Sequence, residues 1–169
     1  MSLSRRKHGR QSGQALVELA FILPVLLLLA LGVIEIGRYA YISILVGNAA
    51  HAGAMYASLG TSQAADQTGI QNAALYDFAG ATSGTTKTNG QVAGNLTVTS
   101  AQSCGCDAGG SVATAVCDKN ANPTAGTCAT GHWVVAVSVT ASGTFNSLFN
   151  YPGIPGSIAV SRTSTLRVF

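Results

Sequence analysis

Residues 19–34 contain no charged side chain and are mostly Leu, Ile, Val and Ala. A helix lying on a soluble core is apolar along one stripe only, so this run is not such a helix. Its sixteen residues cover about 24 Å as an α-helix, a little under the ~30 Å hydrocarbon core of a bilayer. Extended to residues 14–37 the segment is long enough to cross, provided that Glu18 and Glu35 lie at the two interfaces. Arg5, Arg6, Lys7 and Arg10 precede the run. That asymmetry predicts a cytoplasmic N-terminus, with everything after about residue 38 facing outward.

Charge elsewhere supports a membrane-bound chain. Only 9% of the 169 residues are charged and 47% are hydrophobic, against roughly 25% charged in soluble domains. The formal charge of +3 is local: beyond residue 10, five Lys or Arg stand against six Asp or Glu. A nucleic-acid binder spreads basic groups over a folded face. Here they crowd into a tail before an apolar run, so no nucleic-acid partner is expected. The length suits one modest domain plus an anchor.

Three readings of the N-terminus compete. A cleaved secretory signal wants a shorter apolar region and a small-residue cleavage site, whereas Glu35 and Arg38 stand there instead. An ordinary signal anchor fits the polarity but leaves Glu18 unexplained. A prepilin-type leader, a basic stub ending in glycine with a glutamate five residues on, accounts for Gly13, Glu18 and the apolar run together.

The stretch from Gly13 to Ser58 carries Val17-Glu18, Pro24, Glu35, Gly37, Arg38, Asn48-Ala49-Ala50 and Gly53-Ala54. In that combination it resembles the TadE-like family, pseudopilins of the tight-adherence (Flp) pilus machinery. Leu19 stands where the family usually has an aromatic residue. The resemblance implies a pilin-like α+β fold in the bacterial inner membrane, crossing once. It implies cleavage by a prepilin peptidase between Gly13 and Gln14, and assembly with itself, with other pilins or pseudopilins and with the pilus assembly platform, contributing to adherence. The chain then divides into a leader (1–13), a transmembrane and extended amphipathic helix (14–58) and a periplasmic α+β domain (59–169). An uncleaved single-pass envelope binding module or adhesin is the alternative.

Glu18 is the residue expected to set assembly. A carboxylate in lipid costs several kcal/mol unless paired. After cleavage the new α-amine of Gln14 lies about one helical turn away, and Glu18 of one subunit can face the amine of a neighbour. The plainer reading is a glutamate snorkelling at the boundary. Glu35 and Arg38 are three apart and share a helix face, either as a pair at the outer interface or as two solvated charges.

Further on, Ala49, Gly53 and Ala57 recur every four residues, a small-residue ladder that lets another backbone approach. It can pack on the protein's own sheet or on a neighbouring subunit. Gly60 is expected to end this helix, with Thr61 or Ser62 capping a second over 63–79, where Ile70, Ala74 and Phe78 share a face. Residues 80–91 read as a polar loop. Alternation at Leu96 and Val98, from Trp133 to Ala141, and from Ile158 to Val168 predicts about three antiparallel strands. Arg162 and Ser164 interrupt the last, suggesting a bulge or an edge strand.

All four cysteines, Cys104, Cys106, Cys117 and Cys128, lie in one segment. Their C-x-C-x10-C-x10-C spacing lacks the paired knuckles of a zinc site, and the outward topology favours disulfides. Cys104 and Cys106 are too close to pair with each other, leaving two connectivities. Cys104–Cys128 with Cys106–Cys117 is preferred, because Cys104 ends one strand and Cys128 precedes the next. No catalytic constellation, metal set or cofactor motif is found. His8, His51 and His132 have no partners that would make a triad, so the chain is not expected to be an enzyme.

Overall fold

The computed structural model describes residues 12–79, 92–109, 112–115, 117, 128–149 and 155–168. Residues 1–11 of the leader, the expected loop over 80–91 and most of the cysteine loop lie outside these residues. Helix α1 spans Ser12–Ser58, α2 Thr61–Ala65 and α3 Gln67–Ala79. Strands β1 (Val92–Asp107), β2 (Val112–Ala115), β3 (His132–Asn146) and β4 (Ser157–Arg167) form one antiparallel sheet in the order β2-β1-β3-β4. The class is α+β. The three strands read from alternation are β1, β3 and β4, and the short β2 joins the edge beside β1.

The chain forms two compact units, one up to Arg38 and one from Tyr39 to Phe169. In the second, alternation does what it should. Val135, Val137, Val139 and Ala141 of β3 are buried, while the residues between them stay half-exposed. Leu96 and Val98 of β1 and Val160 of β4 join them, and Ile42, Val46, Ala49 and Ala57 of α1 close the core with Ile70, Ala74 and Phe78 of α3. Burying a side chain such as Val139 is worth about 1.5–3 kcal/mol. The small residues of α1 bring the helix close: a Cβ on Gly53 would lie 3.1 Å from Val139 Cγ1 and 3.2 Å from the Ile70 carbonyl.

The helical segment over 63–79 is broken at Asp66. Neither Thr61 nor Ser62 caps it: Thr61 opens α2, and its N-cap, Gly60, offers no side chain. The cap is Asp66, whose Oδ1 accepts the Gly69 N–H at 2.9 Å at the start of α3. This satisfies a donor that the first helical turn leaves unpaired. Helix α3 also meets β1 around Val98 and Ser100, beyond the stretch that β2 pairs. Gln67 and Gln71 both donate to the Val98 carbonyl, at 3.4 and 3.1 Å, which blunts an open sheet edge.

Strand β4 is the other edge, and its pairing with β3 runs without a shift from Asn146↔Ser157 to Ala136↔Arg167. A bulge in β4 is therefore not present; the register shift falls in β1, between Ala93 and Thr97. Arg162 and Ser164 keep the strand's alternation because, at the rim, they have polar partners on α1. Arg162 Nη2 donates to Ser43 Oγ, and Ser164 Oγ lies 3.4 Å from His51 Nδ1.

Candidate functional site

In the unit that ends at Arg38, the apolar side chains of α1 point outward on every side. Phe21 is 77% exposed and Leu29 62%, and no part of the most apolar eighteen-residue window, with mean hydropathy 2.7, is buried. Water does not tolerate such a surface, whereas lipid does. The segment is long and apolar enough to serve as a single-pass membrane anchor. Helix α1 continues through Pro24. Membrane helices accept the missing hydrogen bond where neighbouring groups re-satisfy the backbone.

Two carboxylates bracket this surface. Glu18 and Glu35 are seventeen residues apart, about 26 Å along a helix. Glu18 accepts from the Gln14 side-chain amide one turn earlier, at 3.3 Å. Among the described residues that neutral donor is its partner, and no cation pairs with the carboxylate. Glu35 is different: its Oε2 lies 2.9 Å from Arg38 Nη1, and the two side chains are only 12% and 20% exposed. They form an ion pair and are not two solvated charges. Gly13 and Gln14 occupy the first turn of α1, and a Cβ on Gly13 would meet nothing within 4 Å. First turns fray readily, since their N–H groups lack intrahelical partners.

The remaining residues singled out in the sequence lie in the second unit. Ala49 and Ala57 are fully buried, and Gly53 faces Val139 and Ile70. This places the ladder against the chain's own sheet and α3. From Tyr41 on, the exposed residues of α1 are Tyr41, Ile44, Asn48, His51 and Met55, spaced three or four apart, with Leu59 exposed just past its end.

The four cysteines form two disulfides, but in the other pairing: Cys104–Cys117 and Cys106–Cys128, with Cα–Cα separations of 5.2 and 5.7 Å. The reason is β2. It pairs Ala115 with Cys104 and Ala113 with Cys106, so the chain leaving β2 delivers Cys117 beside Cys104. Cys106 pairs with Trp133 at the start of β3, and Cys128, just before that strand, meets Cys106. At the same end, Arg167 Nη2 contacts Asp107 Oδ2 at 2.5 Å. That hydrogen bond, with the Gly109 N–H, holds the Asp107 carboxyl below the usual carboxylate range. At α3, the Gly69 N–H and then the Tyr56 hydroxyl lower Asp66 in the same way, and the bond to Asp66 raises the Tyr56 phenol. The Asp107–Arg167 pair joins segments 60 residues apart and carries no local signal. Among the described residues no group of three His, Cys, Asp or Glu could hold a metal ion.

Comparison with known proteins adds one finding. Residues 13–55 match the family model described as TadE-like protein, the family that this segment's motifs resemble. The match covers most of α1 and none of the sheet. No curated protein and no solved structure matches the chain.

Proposed function

We propose that this chain is a minor pseudopilin of a tight-adherence (Flp) pilus system, with a structural role in assembly or its initiation and no catalytic one. The observation that carries the reading is the segment matched to the TadE-like family, which coincides with an exposed apolar helix bearing Glu18 one turn past Gln14. In this reading a prepilin peptidase cuts between Gly13 and Gln14 on the cytoplasmic side of the inner membrane, and the fragment before the cut is lost. The helix stays in the bilayer with the sheet domain in the periplasm.

The physics of assembly then follows from one charge. Among the described residues Glu18 has only an amide partner, and leaving it so in lipid costs several kcal/mol. A neighbouring subunit's Gln14 ammonium supplies the opposite charge. The pairing fixes the axial register of two helices that otherwise have only van der Waals packing to hold them together.

Intact-mass analysis of the protein extracted from membranes tests this. A mature chain beginning at Gln14 is expected, and Gly13→Leu should leave the precursor uncut. An intact Met1, or a cut elsewhere, would sink the reading. Glu18→Gln should insert normally but fail to cross-link to neighbouring subunits.

A further inference from the structure

The two edges of the sheet are built differently. At one, β2 is only four residues long, and Gln67 and Gln71 of α3 take the Val98 carbonyl. At the other, β4 runs for eleven residues without a proline, an acidic side chain or a shift in its register with β3. Val168, just past β4, donates its N–H to the Val135 carbonyl at 2.9 Å. Residues of an antiparallel strand alternate between those that bond to the neighbouring strand and those that turn away from it. Ile158, Val160, Arg162, Ser164 and Leu166 therefore bond to β3. Ser157, Ala159, Ser161, Thr163, Thr165 and Arg167 turn their N–H and C=O groups to the open side. All six are exposed, and among the described residues no strand pairs with them.

Such an edge is a template for a further strand. Arg162 decides which strand can use it. It stands at the middle of β4 on the face toward α1, where Nη2 donates to Ser43 Oγ and Nη1 donates to the Ser161 carbonyl at 3.2 Å. That carbonyl is one of the outward groups, so the guanidinium sits at the edge itself. Among the described residues the ion pairs are Arg38 with Glu35 and Arg167 with Asp107; the partners of Arg162 are a hydroxyl and a carbonyl. A strand laid here with an apolar residue opposite Arg162 leaves a cation without a counter-charge, a device that keeps sheet edges from pairing. A second copy of β4 centred on Arg162 is disfavoured too, because like charges then stand directly opposite. A strand with a carboxylate at that position turns the guard into an ion pair. On the same face Ile158 is 38% exposed and Leu166 half-buried, which suits apolar neighbours. Ala159, Ser161, Thr163 and Thr165 on the other face suit small ones.

We propose that the β4 edge is a docking site for an extended acidic segment of another protein, added antiparallel to β4 with its carboxylate on Arg162. The inference rests on the sheet unit alone and holds whether or not the chain is a pseudopilin.

Peptide binding to the full-length protein in detergent micelles tests it. The probe is fluorescein-labelled Val-Thr-Ser-Thr-Glu-Thr-Val-Thr-Val, which sets its glutamate opposite Arg162 when laid antiparallel along residues 158–166. An analogue with lysine in place of the glutamate is the control. By fluorescence anisotropy the glutamate peptide should bind about tenfold more tightly than the lysine one. Arg162→Glu should reverse that preference, and Arg162→Lys should keep it. Hydrogen exchange at the outward amides of Ser161, Thr163 and Thr165 should slow when the peptide is added. Ser161→Pro removes an outward N–H and no hydrogen bond to β3, so it should abolish binding while the Trp133 unfolding transition persists. Equal affinity for the two peptides, a preference that survives Arg162→Glu, or binding that leaves the β4 amides unprotected overturns the proposal. So does the absence of binding at millimolar peptide. Protection of the same amides that grows with protein concentration, without peptide, means that the edge meets another copy, and it also overturns the proposal.

Discussion

Glycine-to-alanine substitution at two positions of one helix should give opposite signs. Alanine replacing glycine inside a helix is worth about 1 kcal/mol in propensity. At Gly47 nothing opposes that gain. The new Cβ would meet only the Arg162 Cγ, at 3.9 Å, which is ordinary contact. Gly47→Ala should therefore stabilise the protein by about 0.5–1 kcal/mol. At Gly53 the Cβ would meet Val139 Cγ1 at 3.1 Å, the Ile70 carbonyl oxygen at 3.2 Å and Ile70 Cγ2 at 3.3 Å. Val139 and Ile70 are fully buried, so neither has a rotamer leading to open space. The carbonyl belongs to the α3 backbone and moves only if the helix does. Overpacking of this kind costs about 1–3 kcal/mol, so after the propensity gain Gly53→Ala should be destabilising by up to about 2 kcal/mol. Trp133, the protein's single tryptophan, reports on the sheet unit during guanidinium titration of the full chain in detergent micelles. The two variants' midpoints should shift in opposite directions at a common slope. If Gly53→Ala proves as stable as Gly47→Ala, the close approach of α1 to β3 and α3 is wrong, and with it the reading of the small residues as part of the chain's own core.

Three further outcomes follow from the sheet unit. Non-reducing peptide mapping should recover Cys104 with Cys117 and Cys106 with Cys128; replacing either pair by serine should cost about 3 kcal/mol, slightly more for the longer Cys106–Cys128 loop, and recovery of Cys104 with Cys128 would contradict the placement of β2. Gly131 has φ +83° beside the Asp107 backbone, so Gly131→Ala should destabilise by at least about 1–2 kcal/mol, read by the same Trp133 titration. Because Arg167 depresses the Asp107 pKa, its contribution is present above the ordinary carboxylate value near 3.9 and is lost as pH falls through the lowered folded-state value. The stability gap between wild type and Arg167→Gln should thus be open at neutral pH and close in strong acid, and a gap constant down to pH 2 would argue against the pair.

How much of this was legible in the sequence depended on whether the signal was local. The apolar run of α1 and the alternation of β3 need no partner to be recognised, because burial on one face or exposure on all faces is written in each segment's own period. The spacing of Ile70, Ala74 and Phe78 likewise marked the buried side of α3. The disulfide pairing failed for a definite reason. β2 has four residues and sits inside a loop that composition marks as irregular, and without it Cys117 had no address. The break at Asp66 was missed because the apolar spacing of Ile70, Ala74 and Phe78 begins only after it, while the cap depends on one carboxylate turning back to Gly69. Arg162 read as an interruption of β4, since its partner Ser43 lies 119 residues away and is defined only once the helix is laid on the sheet.

One helix thus meets two different solvents, and its composition changes where the solvent does. Up to Arg38 the exposed residues are Leu, Ile, Val and Phe, which in water would drive aggregation. From Tyr39 the helix gains a buried side of Ile42, Val46, Ala49, Gly53 and Ala57, small enough toward its end for a sheet to approach. The opposite side then runs from Tyr41 through Ile44, Asn48 and His51 to Met55 and Leu59. A neighbouring subunit that packs along this part of α1 must use that second side, because Gly53 already faces Val139. In this way the small-residue ladder specifies the monomer. In the proposed assembly, specificity for other subunits falls to the apolar half, where Glu18 has, among the described residues, only the Gln14 amide as a partner.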